Sequence, residues 1–260
     1  MRALPAFAAF CLFWILACCL PSKEMEEKRE AANAAQVAIV DATRIQLKIA
    51  ASLARSYEPK EQRCPDDVLG ANLKKRRDTY KNGLGMDTPI RVELGALEAA
   101  AGLEGKDTRK NPILGWMSDD TVERVFAMSD KTGYSRSSEA ETLTKRLGEK
   151  GSQIWIFRMA KFNPPVVTKP AGLVADAEYE GGDVVAWLIL WDLDTARAVC
   201  ASPFQAHSSK EITYRDEGTR KQTLEEALQD DLADQLKEEA TKARNRITAV
   251  YKLGAKLLEL

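Results

Sequence analysis

From Val184 to Trp191 the chain is continuously apolar, reading Val-Val-Ala-Trp-Leu-Ile-Leu-Trp. A short run of branched and aromatic residues bounded by turn formers predicts a strand buried on both faces. It is far too short for a helix that crosses a bilayer, which needs about 20 residues. Such a strand requires a partner on each edge and a layer on each face. The flanking sequence supplies the edges. Ile154 to Phe162 is rich in aromatic and branched residues and is closed by Asn163-Pro164-Pro165. Leu173, Ala175, Ala177 and Tyr179 alternate with Asp176 and Glu178, the pattern of a strand with one wet face. Gly181-Gly182 then suits a two-residue hairpin loop at positive φ. Asp192-Leu193-Asp194-Thr195 turns the chain, and Arg197 to Ala201 returns. Connections this short cannot make parallel crossovers. The region from about 150 to 215 is therefore expected to form an antiparallel meander.

Two long helices are expected to supply the layers. Lys23 to about Tyr57 holds no Gly or Pro, and Pro59 ends it. Val37, Val40, Ile45, Ile49 and Leu53 fall near helical spacing. At 1.5 Å per residue this helix could reach roughly 50 Å, as a spacer arm or as a layer on the core. The second helix starts at a capping box, Thr223 with Glu226, and runs from 224 to about 252. Acidic residues crowd its front half and basic ones follow, complementing the helix dipole. Leu224, Leu228, Leu232, Leu236, Ile247 and Tyr251 form its buried stripe. Shorter helices are expected over Ala71–Tyr80, Glu93–Leu103 and Asp119–Met128. A further one starts at Ser138, with Glu141 completing a capping box, and ends near Lys150. The fold class is α+β, with a helix over 19–60 leading into a single domain over 61–260.

Ahead of these elements lies Met1-Arg2, an apolar stretch to Leu20, and an abrupt change after Pro21 to Ser-Lys-Glu-Met-Glu-Glu-Lys-Arg-Glu. That is the layout of a secretory signal peptide. Its end, Ile15-Leu16-Ala17-Cys18-Cys19, resembles the lipobox of bacterial lipoproteins. The resemblance implies that residues 1–18 form the signal peptide and anchor, cut just before the cysteine, which becomes the new N-terminus and is acylated. Cys18 is the expected site, with Ile15 and Ala17 at the matching positions, and Cys19 is the alternative. Cleavage without acylation, or an uncleaved anchor, remain the other readings of the same segment.

Beyond that segment the cysteines are Cys64 and Cys200. In an oxidising compartment they could pair; Cys200 between Val199 and Ala201 could equally be a small buried apolar residue. The 38 Lys and Arg against 39 Asp and Glu are mixed along the chain and leave no electrostatic footprint for nucleic acid. Lys74-Lys75-Arg76-Arg77 is a local basic spot, a solvated face or a contact for anionic headgroups.

Little converges on catalysis. The sole histidine, His207, lies beside Ser208 and Ser209, and no Gly-x-Ser-x-Gly elbow occurs. One histidine and two scattered cysteines do not make a zinc site. There is neither an EF-hand loop nor a Gly-rich phosphate loop, so no cofactor and no metal are expected. Leu188-Ile189-Leu190-Trp191-Asp192-Leu193-Asp194-Thr195 resembles the first motif of haloacid-dehalogenase-like phosphatases. That resemblance implies Asp192 as nucleophile, Asp194 as acid and base, and magnesium as counter-ion. The match breaks at Ala196, and the segment after it reads as a strand; the competing reading is a polar hairpin turn. Asp176 with Glu178 could form a glycosidase-like pair, and Trp155, Trp187 or Trp191 could contact a small ligand between sheet and C-terminal helix. The expected function is a non-enzymatic binding or structural module. It would be held at a membrane by its N-terminal lipid, with another envelope protein or the cell wall as partner. The alternative is an anchored hydrolase.

Overall fold

The computed structural model describes residues 23–57, 62–64, 90–103, 112–117, 120–150, 152–169, 177–212 and 223–257. The elements are α1 (Lys23–Ala54), β1 (Ile90–Glu93), α2 (Leu94–Ala100), a 3-10 segment (Pro112–Met117) and α3 (Asp120–Ala127). They continue with α4 (Gly133–Lys150), β2 (Gln153–Asn163), β3 (Val166–Lys169), β4 (Glu178–Glu180), β5 (Asp183–Asp192), β6 (Arg197–His207) and α5 (Leu224–Leu257). The fold is α+β, as expected, with long helices at either end of the described chain.

The main sheet has the order β1-β2-β5-β6. The Val184–Trp191 run sits in β5, paired antiparallel with β2 on one side and β6 on the other. Its unbroken apolar character follows from what covers it. Trp187, Ile189 and Trp191 face a core shared with Leu47, Ala50, Leu97 and Val122. Val184, Ala186, Leu188 and Leu190 face a second core with Leu232, Leu236 and Ile247 of α5. Successive side chains of a strand point to opposite faces, so helices on both faces demand apolar residues at every position. The helices α1 to α4 cover one face and α5 the other.

The capping box of α5 forms as expected. Thr223 N donates to Glu226 Oε2 at 2.9 Å, and Glu226 N donates to Thr223 Oγ1 at 3.1 Å. The box expected at Ser138 does not form. Helix α4 already starts at Gly133, and Ser138 lies inside it, its carbonyl accepting from Thr142 Oγ1. Packing brings this earlier turn in: Arg136 donates to Asp41 of α1 at 3.1 Å. Further along, Glu139 is gripped by Arg124 and Lys131, at 2.7 and 2.9 Å. The bond from the Arg124 guanidinium holds its carboxyl below the usual carboxylate range.

Three expectations for the sheet need correction. A parallel strand, β1, pairs with β2 in register Ile90↔Ile154 to Glu93↔Phe157, so the sheet is mixed. The helices between β1 and β2 provide the long crossover that a parallel pair requires. The strand expected over Leu173–Tyr179 is described only as Glu178–Glu180, and it pairs with β3 in a separate ribbon. It is not a strand of the meander, because β2 reaches β5 directly.

Gly181-Gly182 is not a hairpin loop, since β4 and β5 do not pair, and neither glycine is at positive φ. Gly182 is required for close approach instead. A Cβ there would lie 2.7 Å from Leu232 Cδ2 and from Pro165 Cδ, and 2.9 Å from the Asn163 carbonyl oxygen. A proline ring and a backbone carbonyl cannot swing aside. Gly182→Ala is therefore expected to destabilise by about 1–3 kcal/mol through overpacking, read as a lower urea midpoint at unchanged m.

The pairing of Cys64 with Cys200 is present as a disulfide. It clips Arg63 to the outer edge of β6, where Arg63 N donates to the Ala201 carbonyl and Ala201 N to the Arg63 carbonyl. Farther along the same edge, Pro203 offers no N–H, and its carbonyl accepts from Arg246 Nη2 at 3.1 Å. Both features keep an edge strand from recruiting another strand.

Candidate functional site

Asp192 and Asp194 lie at the β5–β6 turn. The Asp192 side chain is 1% exposed, and its Oδ1 accepts from Asp194 N at 2.8 Å and Thr195 N at 3.2 Å. This is the Asx-type turn that aspartate favours, closed by Ala196 at φ 52. One carboxylate oxygen of Asp192 is thus committed to the backbone, while Asp194 is exposed. Asp192→Ala is expected to destabilise by about 1–3 kcal/mol by leaving two turn N–H groups without their acceptor. Asp192→Asn, which keeps the acceptor oxygen, should recover most of that loss in a thermal melt.

His207 sits at the opposite end of the same hairpin, paired with Asp183, while Asp192 pairs with Arg197. Nine residues of extended chain separate the two ends, roughly 30 Å. His207 is exposed; the residues after it are engaged in holding the loop. Ser208 N donates to the Gly182 carbonyl, and Gly182 N donates to Ser208 Oγ at 3.0 Å. Ser209 N and Oγ donate to Asp231 at 2.7 and 2.6 Å, tying the loop to α5. The serines beside the histidine are structural ties.

The tryptophans are likewise divided. Trp155 faces the α5 core, whereas Trp187 and Trp191 face the α1–α4 side, so they line no common space. Arg158 lies 5.2 Å over the Trp187 ring and donates to the Tyr57 carbonyl at 2.8 Å. This cation–π contact closes the end of α1 onto the sheet. Burial raises the Tyr57 phenol above its ordinary pKa, an effect partly opposed by Arg63. Cys18, Cys19, Asp176 and the Lys74–Arg77 run lie outside the described residues, as does the helix expected over 71–80. Among the described residues no group of His, Cys, Asp and Glu side chains could hold a metal ion.

A cleft of about 470 Å³ lies between the front of α1 and the start of α4. Glu26, Arg29 and Glu30 line one wall, and Tyr134, Ser138 and Glu141 the other. It offers carboxylates, hydroxyls and one guanidinium, a surface for hydrogen bonding that lacks a paired nucleophile and base.

The feature that sequence reasoning missed is on α1. The apolar positions read at near-helical spacing, Val37, Val40, Ile45, Ile49 and Leu53, do not share one face in the structure. Val40 is buried with Leu47, Ala50, Ala51 and Ala54, while Ile45 and Leu53 are exposed. The helix has two apolar faces, and the density of alanine between Ala31 and Ala42 was the signal for the second. Comparison with protein-family models, curated proteins and solved structures found no match for this chain.

Proposed function

We propose that this protein is a lipid-anchored lipoprotein of the bacterial cell envelope, a binding or structural module acylated at Cys18. The observation that carries the reading is Ile15-Leu16-Ala17-Cys18 at the end of an apolar run, just before the charged start of α1. Each buried acyl methylene contributes about 0.8 kcal/mol, so two or three chains on one cysteine hold a protein at a bilayer essentially permanently. The Cys64–Cys200 disulfide supports export, because such bridges persist in oxidising compartments. The shape of α1 supports a tether. Its turns before Val40 are largely exposed, and full burial begins only there, about 25 Å along the axis. Among the described residues no helix is long and apolar enough to cross a membrane. The hydrolase alternative gains no support, with Asp192 committed to its turn and His207 at the far end of the hairpin.

The full chain expressed in a bacterium with labelled palmitate should take up label, and Cys18→Ser should abolish it. Mass spectrometry of the mature N-terminus should find acylated Cys18. Label kept in Cys18→Ser and lost in Cys19→Ser would move the site to Cys19. An unmodified Met1, or a cut beyond Cys19, would overturn the anchor.

A further inference from the structure

Helix α1 is apolar on two faces, and the described body uses only one. Its inner face packs through Val40, Leu47, Ala51 and Ala54. On the outer face Ala31, Ala35, Ala38, Ala42, Ile45 and Ile49 follow at alternating steps of four and three. That is the 3.5-residue repeat of a helix-pairing seam. Every one of these is exposed except Ile49, which is half-buried. Ile39 and Leu53 widen the stripe, and Ile39, Ile45 and Leu53 are 48%, 57% and 47% exposed. No charged residue interrupts the seam. A helix that is apolar on opposite faces is suited to lie between two layers, and the described residues provide one.

We propose that a second copy of this chain provides the other, α1 against α1, in a parallel homodimer. The alanines at the seam allow the axes to approach to about 8 Å, the close end of helix packing. The exposed parts of the three large residues and the alanine methyls offer roughly 300 Å² of apolar area per copy. At the usual apolar share of an interface, pairing buries on the order of 1,000 Å² in total. That reaches the floor for a biological interface, about 1,000 Å², and lies below the roughly 1,200 Å² of stable ones, so the pairing is a weak one that relies on confinement at the membrane. The parallel direction rests on the anchored reading: lipids at both N-termini place both helices at one membrane surface, pointing the same way. Confinement there also raises the effective concentration of one copy around the other.

The test uses the full chain in its native membrane. Ala38→Cys and, separately, Ile45→Cys, each combined with Cys19→Ser to remove the thiol beside the anchor, are treated with a short bis-maleimide, with Lys237→Cys on α5 in the same background as the exposed control. In a parallel seam each position faces itself, so both should give a dimer-sized adduct several-fold above the control. Adding Ile45→Lys to Ala38→Cys should bring the adduct to the control level while far-UV circular dichroism keeps the parent's helix content, because Ile45 is 57% exposed in one copy and its replacement leaves the fold of that copy intact. Control-level adduct at both positions, or adduct unaffected by Ile45→Lys, overturns the pairing; adduct at Ala38→Cys alone overturns the parallel arrangement. The N-terminal mass of the same sample separates this inference from the anchor. Acylated chain without adduct defeats the dimer alone, and adduct from unacylated chain defeats the anchor alone.

Discussion

Opening the Cys64–Cys200 bridge is expected to lower the unfolding free energy by about 2–5 kcal/mol. The two cysteines are 136 residues apart, so the bridge closes more than half of the chain into one loop in the unfolded state. In the chain-entropy account a loop of about 100 residues already gives roughly 4.7 kcal/mol. Cys64→Ala is the cleaner variant, because Cys64 is only half-buried whereas Cys200 is fully buried. The remaining Cys200 thiol then stays in an apolar site that suits it. For a chain of this size the loss corresponds to a fall in Tm of about 5–15 °C. The urea m-value should rise as well, since the unfolded chain without its cross-link exposes more surface. A Tm within about 1 °C of the parent would show that the bridge adds nothing to stability. Hydrogen exchange at the Ala201 amide gives a local check. That amide donates to Arg63, so releasing the clip should speed its exchange while Ile189 at the sheet centre stays protected.

The second large effect is expected for Phe157→Ala, a loss of about 3–5 kcal/mol. Phe157 is fully buried in β2, with its ring edge-on to Trp116 at 6.2 Å and tilted against Phe204 at 5.7 Å. It joins the 3-10 segment, the sheet and the α5 layer. Truncation leaves a cavity among elements from three parts of the chain, which cannot close together without disturbing β2 pairing. Equilibrium denaturation measures the loss. Lys237→Ala in the same assay provides the contrast, because an exposed residue outside the α1 seam should change stability by no more than about 0.5 kcal/mol. A Phe157→Ala loss below about 1 kcal/mol would mean that the α5 layer is loosely packed over the sheet.

The candidate sites illustrate the difference between a motif and its surroundings. Asp192-Leu193-Asp194 reads equally as a nucleophile pair or as a turn, because the same short polar side chain serves both. Its setting decides: an antiparallel hairpin places the Asp192 oxygen on two backbone N–H groups. His207 and Asp192 are close in sequence, yet a straight two-stranded hairpin carries them to opposite ends. The tryptophans divide by the parity of their positions on β2 and β5, which only the register between those strands defines.

The features determined by sequence alone are those whose physics is local. The apolar run in β5 and the Thr223–Glu226 box each act through neighbours within a few residues, so composition and spacing suffice. For Cys64 and Cys200 the residues left a pair and a buried free Cys200 equally open, and the fold that brings Arg63 alongside Ala201 decided for the disulfide. Features decided by tertiary structure involve groups far apart in the chain. Strand β1 is only four residues long, and its place beside β2 depends on the whole crossover between them. Gly182 is needed because Leu232, some fifty residues later, occupies the space a methyl group would fill. For α1, periodicity found an apolar helix but could not say which side the body would take. The spacings of four and three on its outer face fit helical periodicity as well as those on its inner face. Only packing against α2, α3 and α4 buried Val40 and Leu47 and left Ile39, Ile45 and Leu53 facing outward.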